Sequence, residues 1–347
     1  MKPNPSPLAW VGSSPNSHLK THDISQFDYK HKFGPITSEV SHIQFSQNIA
    51  AAAEKITTLT VGQQQVYDFV QSLGNFEVQS NVRSVIYPFE LDIYLPQQKL
   101  AIEYNGLYFH SDKIVDKNYH LVKTRKCESV GIQLIHIFED EWNNNKEIMK
   151  SILRSKLNAI STKIFARNCQ IVIPTKQQKK QFLNENHRQQ NDKSIFWFGL
   201  THNNKLVSIM TFSKLRKALG SSHVDGSYEL SRFCSLTNSI VVGSFSKLLA
   251  HFKRTVSFKQ LITYADLRFS SHQFSVYSSN GFKLKKQSRP NYFYCTKNKR
   301  LHRYNFTKQI LVNKFNGDPT KTEFEIADEL QLVRVWDCGQ LCYELSG

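Results

Sequence analysis

The chain contains 347 residues, of which 40% are hydrophobic and 12% aromatic, so it is long enough for two or three globular domains. Lysine and arginine number 45 against 28 aspartate and glutamate residues, which gives a formal charge of +17 and predicts a polyanionic partner. No apolar run is long enough to span a membrane, and the first residues lack the apolar core of a signal peptide. These features argue against a membrane protein and favour a cytoplasmic protein that binds nucleic acid.

Six cysteines are spread along the chain, and only Cys338 and Cys342 lie close together. This scatter in a large protein indicates reduced thiols in a cytosolic compartment. A Cys-x-x-x-Cys pair without a second pair nearby does not favour a zinc site.

The first 55 residues are polar, rich in Ser, Asn, Gln and His, and without a sustained hydrophobic period, so we expect a polar arm. From Thr60 to Gly74 apolar residues recur at helical spacing, which predicts a helix that ends at the glycine.

The segment that follows predicts a hairpin with an unusual pair of carboxylates. A turn centred between Gln97 and Gln98 places Tyr94 opposite Ala101 and Asp92 opposite Glu103. Opposed like charges destabilise a sheet, and a bound divalent cation would remove that cost. The alternative is a pair of solvated carboxylates on the open face of the hairpin.

Beyond the hairpin the pattern predicts a basic helix from 119 to 130, closed by Gly131, and a buried strand over 132–138. Strand, helix and strand in this order predict a parallel neighbour for the second strand. A long helix is expected over 141–158.

A second α/β unit is predicted from about residue 161. Its first hairpin turns at Asn203 and Asn204, between apolar runs at 194–200 and 206–212. Further strands are expected at 228–233, 261–265 and 291–295, with a helix at 244–254. The tail beyond residue 306 is less regular, with a helix over 323–330 and a strand over 332–336.

Asp92 followed by Glu103, Tyr and Asn105 resembles the core of PD-(D/E)XK nucleases. His110, eighteen residues beyond Asp92, resembles more narrowly the branch that includes very-short-patch-repair endonucleases and EDxHD homing endonucleases. With the segments around residues 119–124 and 131–142, the chain resembles phage homing endonucleases of the Hef-like kind. The resemblance implies a restriction-endonuclease-like domain, with a mixed sheet flanked by helices.

The same resemblance implies the roles of the site residues. Asp92 and Glu103 would hold Mg²⁺, and His110 would activate or orient water. Asn105 stands where the nuclease pattern has lysine, and it would position groups by hydrogen bonding. A second departure is the run of glutamines 63–65, where the first helix often carries a glutamate.

The second unit resembles GNAT acetyltransferases, in which a glycine loop at a helix start receives the pyrophosphate of acetyl-coenzyme A. Gly243 occupies that place, but the usual basic residue and second small residue are absent. The fold alternatively serves as a scaffold that contacts DNA, because residues 283–308 contain many basic side chains and no Asp or Glu. The predicted DNA-binding residues are His120, Lys123, Arg232, Lys247, Lys285, Lys286, Arg289 and Arg300. His120 and Lys123 lie on one helix face, where they would contact phosphate or supply a basic group that has moved from its usual position, and a solvated face is the alternative for Lys123.

We therefore expect an α/β protein with a polar arm at 1–55, a PD-(D/E)XK-like domain at 56–160, a GNAT-like basic domain at 161–306 and an extension at 307–347. The expected function is a site-specific, Mg²⁺-dependent endonuclease of homing type, acting on double-stranded DNA, and a homodimer is one possible assembly. Two alternatives stay open, namely a DNA-associated acyltransferase-like enzyme and a DNA-binding protein without catalysis.

Overall fold

A computed structural model describes residues 59–215, 225–271, 275–296 and 299–347, so the predicted polar arm lies outside the described residues. The helices are α1 (Val61–Gln71), α2 (Tyr119–Ser129), α3 (Glu139–Asn144), α4 (Lys146–Lys156), α5 (Lys176–Asn186), α6 (Ser244–Thr255), α7 (Lys308–Phe315) and α8 (Glu323–Glu329). The strands are β1 (Gln79–Val82), β2 (Leu91–Leu95), β3 (Leu100–Asn105), β4 (Gln133–Phe138), β5 (Thr162–Phe165), β6 (Gln170–Val172), β7 (Phe196–His202), β8 (Lys205–Lys214), β9 (Ser227–Ser235), β10 (Ser239–Val242), β11 (Gln260–Asp266), β12 (Lys283–Gln287), β13 (Tyr292–Thr296), β14 (Lys299–His302), β15 (Val333–Trp336) and β16 (Gln340–Ser346). The α/β class expected from the sequence is confirmed.

The first sheet is four-stranded, in the order β1-β2-β3-β4. The hairpin register is confirmed, since Tyr94 faces Ala101 and Ile93 faces Ile102. The predicted parallel neighbour is confirmed as well, because β3 and β4 run parallel. Helix α1 packs with Ile93 and Ile102 in one core cluster, whereas Cys127 of α2 packs with Ala101 in another. The mixed sheet therefore lies between helices, as expected.

Helix α1 begins with a capping box, in which Thr60 and Gln63 each bond the other's backbone N–H. It ends at Gln71, three residues before the predicted glycine stop. A Cβ on Gly62 would lie 2.1 Å from the Tyr104 ring, so the glycine allows the helix to approach strand β3 closely.

The predicted long helix over 141–158 is wrong. Two helices, α3 and α4, occupy this region and meet at Asn145, whose φ of −129° is not helical. Asn145 N–H still bonds the Glu141 carbonyl, and Asn145 then starts the second helix. Consecutive asparagines favour such a break, because their side chains compete with helical backbone hydrogen bonds.

The second sheet has seven strands in the order β12-β16-β11-β9-β8-β7-β6. The hairpin between β7 and β8 is confirmed, with Asn203 and Asn204 at positive φ in its turn. Strands β9 and β11 run parallel and pair only up to Leu230 and Thr263. Strand β16 was not predicted from the sequence. It lies between β12 and β11 and brings residues 340–346 into the sheet.

A three-stranded sheet, β14-β13-β15, and a parallel pair, β10-β5, complete the architecture. The sheets belong to one compact unit, and the domain boundaries at residues 160 and 306 stay predictions. In the described ranges, no helix combines the length and apolar character needed to cross a bilayer.

Candidate active site

Asp92 and Glu103 lie at the point where the hairpin ladder is interrupted. The backbone N–H of Tyr104 donates to Asp92 Oδ2 at 2.9 Å, and the backbone N–H of Asp92 donates to Glu103 Oε1 at 3.2 Å. Each carboxylate therefore takes a backbone donor from the facing strand. Both are buried, at 8% and 1% exposure, so they are not the solvated pair of the alternative interpretation.

The first helix reaches this site through a glutamine. The Gln63 side chain hydrogen-bonds the Asp92 carboxylate, an interaction that favours the charged form of the acid. The Gln63 carbonyl oxygen accepts from the backbone N–H of Thr60 and is therefore engaged in the capping box. Gln65 instead binds Trp142 Nε1 and Lys146 Nζ.

Lys123 supplies the cation of the site. It projects from α2, is 3% exposed, and forms an ion pair with Glu103 Oε2. The sequence predicted that Lys123 and His120, on one face of α2, contact phosphate or supply a basic group to the site, with a solvated face as the alternative for Lys123. Both side chains are buried beside the carboxylates and histidines, so any contact of theirs with a substrate would occur inside the site.

The three groups would carry one net negative charge if both acids were ionised, and their pKa values show that the fold resists this state. Burial, and then the neighbouring charge of Asp92, raise the pKa of Glu103 to about 8, although Lys123 opposes the shift. Burial likewise raises the pKa of Asp92. The attraction of Glu103 and the other acidic groups outweighs burial for Lys123 and raises the pKa of its ammonium group, which keeps the charge.

This donor set fits a divalent cation. Two buried carboxylates share one lysine, and their mutual repulsion keeps a proton on Glu103 at neutral pH, a proton that a bound Mg²⁺ would replace. Carboxylate oxygens are the ligands that Mg²⁺ prefers, and it commonly binds through one or two of them and keeps several waters. Within the described ranges, no third Asp, Glu, His or Cys joins the pair as a ligand cluster.

Three histidines lie next to Lys123. His110 Nδ1 lies 3.0 Å from His120 Nε2, and the two rings stack with centroids 5.1 Å apart. The His136 ring contacts His120 edge to face. Burial, followed by the charge of Lys123, lowers the pKa of His110 to about 3, so its ring is neutral at physiological pH. Burial also lowers the pKa values of His120 and His136.

Asn105 is fully buried and binds a histidine. Its Nδ2 lies 3.2 Å from His136 Nδ1, which as acceptor leaves Nε2 to donate to Thr124 Oγ1 at 2.9 Å. Thr124 in turn donates to the His120 carbonyl. Asn105 Oδ1 is buried without a hydrogen bond among the described residues. Asn105 thus connects β3 to α2 through His136, for which the sequence offered no partner.

The remaining predicted DNA contacts divide into engaged and exposed residues. Arg300 is buried and pairs with Asp140 and Glu141, so it belongs to an internal ion-pair network. Lys247 Nζ donates to the Ala166 and Cys169 carbonyls. The other engaged side chains are Arg232, which donates to the carbonyls of Gln190 and Ser231, and Lys285, which pairs with Glu344. Lys286 and Arg289 are exposed, like Lys285.

The sequence did not predict the ion-pair network around Glu141. Arg268, Arg188 and Arg300 all bind this carboxylate, and the first two also bind Asp266. The partners are far apart in sequence, and the order of acids and bases along the chain carries no signal for their pairing.

No family model matches the sequence, and no curated protein matches it either. Among solved structures, the catalytic domain of the homing endonuclease I-Bth0305I is 24% identical, covers 30% of this chain and all of its own, and has a TM-score of 0.24. The ribosomal-protein-S18-alanine N-acetyltransferase from Escherichia coli is 14% identical over 51% of this chain and 93% of its own, with a TM-score of 0.29. A GNAT family acetyltransferase from Elizabethkingia anophelis with acetyl-CoA bound is 11% identical over 52% of this chain and 99% of its own, with a TM-score of 0.30. These TM-scores are too low for the structural similarities to indicate a function.

Proposed function

We propose that the protein is a Mg²⁺-dependent DNA endonuclease that hydrolyses phosphodiester bonds of duplex DNA at specific sites. The observation that carries this proposal is the buried pair Asp92 and Glu103, which shares the single cation of Lys123. A buried carboxylate pair with one lysine must hold either a proton or a metal ion, and the raised pKa values of both acids support a functional role for the pair. The formal charge of +17 supports a polyanionic substrate.

Asp92 and Glu103 would hold the Mg²⁺, which when bound would polarise the scissile phosphate. Lys123 keeps its positive charge because its pKa is raised, so it acts as an electrostatic partner and not as a proton acceptor. Its ammonium group has three donors, and the contact with Glu103 leaves others for a phosphate oxygen. It thus supplies the positive charge that Asn105 lacks.

His110 orients the attacking water in this proposal. One ring nitrogen, Nδ1, is shared with His120, and Nε2 has no hydrogen bond within the described part of the chain. Because the ring is neutral at physiological pH, Nε2 or its proton can bond a water molecule. Hydrogen bonding from Asn105 to His136 holds α2, and with it His120, against the sheet.

The test is cleavage of long duplex DNA of varied sequence by the full chain, with Mg²⁺ and with EDTA. We expect discrete fragments with Mg²⁺ alone, and sequencing their ends would give the target. Glu103→Gln should abolish the fragments, whereas Glu128→Gln, which changes a carboxylate paired with Arg125 outside the site, should not. Equal cleavage by Glu103→Gln, or cleavage in EDTA, would overturn the proposal.

A second candidate function is an acyltransferase-like activity on a DNA-associated substrate. The observation in its favour is a cavity of about 380 Å³ where β9 and β11 diverge, lined by both strands and by α4. Against it, Gly243 is followed by Ser and the buried Phe245, so the helix start lacks the second small residue of a pyrophosphate loop. Equilibrium binding of acetyl-coenzyme A to the full chain, without cleavage of DNA, would favour this candidate.

A further inference from the structure

A C-terminal strand contacts the loop that carries His110. This loop, residues 107–112, follows β3 and is called the histidine loop below. Ser111 forms an antiparallel bridge with Val335 of β15. Next to the bridge, Asp112 N–H donates to the Arg334 carbonyl at 2.8 Å, and Arg334 N–H donates to Asp112 Oδ1 at 3.0 Å. Arg334 Nε donates to Asp112 Oδ2 at 2.6 Å, so one carboxylate takes both a backbone and a side-chain donor from the same residue.

The same strand closes the apolar side of the loop. Leu107, Phe138, Cys295 and Val335 form a small buried cluster, in which Leu107 and Val335 are 3% and 0% exposed. Burial of this cluster stabilises the contact between the loop and the strand without directing any side chain into the site. The hydrogen bonds of Asp112 with Arg334 fix the orientation of the loop relative to β15.

Few contacts hold the loop from within the first sheet. His110 N–H bonds the Gly106 carbonyl, and Leu107 N–H donates to Glu139 Oε2 at 3.0 Å. These bonds define its first turn. On the C-terminal side of His110, Ser111 bonds the Tyr108 carbonyl within the turn, and the contacts with another strand are those with β15.

The C-terminal segment also contacts the partner of His110. The contact is made through Thr124, whose hydroxyl donates to the His120 carbonyl at 2.8 Å. Cys338 Sγ lies 3.5 Å from Thr124 Oγ1 on the same helix. Residues 334–338 therefore contact both the histidine loop, which carries His110, and helix α2, which carries His120.

We propose that Arg334 is a positioning residue for the candidate nuclease site, acting through Asp112 to hold His110 against His120. The inference rests on the proposed function for its catalytic consequence, although the geometric statement stands without it. The predicted extension at 307–347 is then part of the site, since it provides a residue that the site needs. Arg334 itself touches neither carboxylate of the cation site in this arrangement.

The chain offers a matched control for this proposal, because Arg334 binds two carboxylates. Arg334 Nη2 donates to Asp328 Oδ1 at 2.5 Å, and Asp328 lies in α8, outside the histidine loop. Asp112→Asn and Asp328→Asn each remove one negative charge from the same guanidinium. Asp112→Asn removes an acceptor within the loop, whereas Asp328→Asn removes, besides the bond to Arg334, only an exposed pair at 4.0 Å with Lys113, which follows the loop. A difference between the two variants therefore reports positioning and not the general loss of an ion pair.

The experiment is a ¹H–¹⁵N spectrum of the histidine rings of the full, metal-free chain, with the His110 signals assigned from His110→Gln. We expect Asp112→Asn and Arg334→Ala to shift the His110 and His120 ring nitrogens, whereas His187 and His251 keep their positions and show that the fold is intact. Asp328→Asn should leave all four unchanged. Unchanged His110 nitrogens in both Asp112→Asn and Arg334→Ala, with the chain folded, would overturn the proposal.

Cleavage kinetics give the second measurement. Asp112→Asn should lower kcat by about tenfold with the DNA dissociation constant unchanged, because a displaced water-orienting group affects the chemical step. Weaker DNA binding with unchanged kcat would contradict a positioning role. If the wild-type chain cleaves no DNA, the nuclease proposal fails, and the ring spectrum still tests the contact from Arg334 to His110.

Discussion

Two of the buried ionic clusters in the described part of the chain differ in the ratio of acids to cations. In the carboxylate site, Asp92 and Glu103 share one lysine, and the pKa values of both acids are raised. In the network around Glu141 and Asp266, the charges of the neighbouring arginines lower the pKa values of both acids. All four carboxylates are largely withdrawn from solvent, so the number of cations nearby decides the sign of the shift.

The difference indicates what each cluster does. The network matches three carboxylates, including Asp140, with three guanidinium groups, Arg188, Arg268 and Arg300, so its charge is balanced within the fold. It links helix α3, which follows β4, to the seven-stranded sheet through Asp266 and to the three-stranded sheet through Arg300, and is a structural element. The carboxylate site has one lysine for two acids, so a proton or a metal ion must supply the second positive charge, which is the condition expected of a site that receives a metal ion.

The largest effect should follow removal of one acid from the pair formed by Asp92 and Glu103. Asp92→Ala is expected to reduce Mg²⁺-dependent DNA cleavage by about a thousandfold, since a metal contributes several kcal/mol to stabilisation of the transition state. DNA affinity should change little. A cleavage assay with a parallel binding measurement checks both, and Glu147→Ala, at an exposed carboxylate paired with Lys150, is the control. Near wild-type cleavage by Asp92→Ala would remove it from the site.

Removing a cation from the balanced network should reduce stability instead. Arg268→Ala is expected to lower the free energy of unfolding by about 3 kcal/mol, because it leaves the buried charges of Glu141 and Asp266 without a main partner. Chemical denaturation measures the change. Arg83→Ala, which breaks an exposed pair with Glu90, should cost less than about 0.5 kcal/mol. Equal losses in the two variants would contradict the structural role of the network.

The pH dependence of stability gives a smaller and separate test of the network. The charges of Arg268 and Arg188 outweigh burial and lower the pKa of Asp266 to about 2 from its usual 3.8. The folded state therefore binds fewer protons than the unfolded state, and this contribution is present above pH 3.8 and lost as the pH falls towards 2. The shift corresponds to about 2 kcal/mol.

Unfolding titrations of the wild type and of Asp266→Asn between pH 5 and pH 2 provide the measurement. The stability advantage of the wild type should shrink over this range, because protonation removes the charge that the variant already lacks. A constant difference between the two proteins would show that Asp266 does not titrate in the way its partners require.

The smallest effect is expected at the basic surface, which neither cluster includes. Lys286 is exposed, and no ion pair of its side chain occurs among the residues that the structure describes, whereas Lys285 pairs with Glu344. Lys286→Ala should weaken DNA binding by about threefold and reduce the slope of log affinity against log salt by about 1. Lys285→Ala should do less, since Glu344 already offsets its charge. Binding titrations at several salt concentrations test this order.

Much of the first sheet could be predicted from the sequence. Alternating apolar residues and a polar turn gave the register that places Asp92 opposite Glu103, because side chains in a strand alternate with a period of two. Gly131, with its φ of +76°, closed helix α2 as expected. The break at Asn145 was missed because the hydrophobic pattern continues across it.

The surroundings of the carboxylates could not be predicted in the same way. The sequence left open whether Lys123 contacts phosphate, supplies a basic group to the site or lies on a solvated face, because its helix is basic and the spacing does not show which face is buried. Strand β16 was missed because the tail was judged by its irregular pattern, whereas its pairing with β11 and β12 depends on strands that precede it by many residues.

The sequence by itself determined the local elements of this protein, namely the hairpin, the helix that carries His120 and Lys123, and the excess of positive charge. Local spacing is sufficient for these, since strand and helix periods and turn residues act over a few positions. Only the tertiary structure decided which charges meet. Lys123 pairs with Glu103 across 20 residues, Arg268 with Glu141 across 127, and Arg334 with Asp112 across 222. Such pairs depend on how packed elements bring long side chains within a few ångströms of each other, and no local pattern encodes that distance.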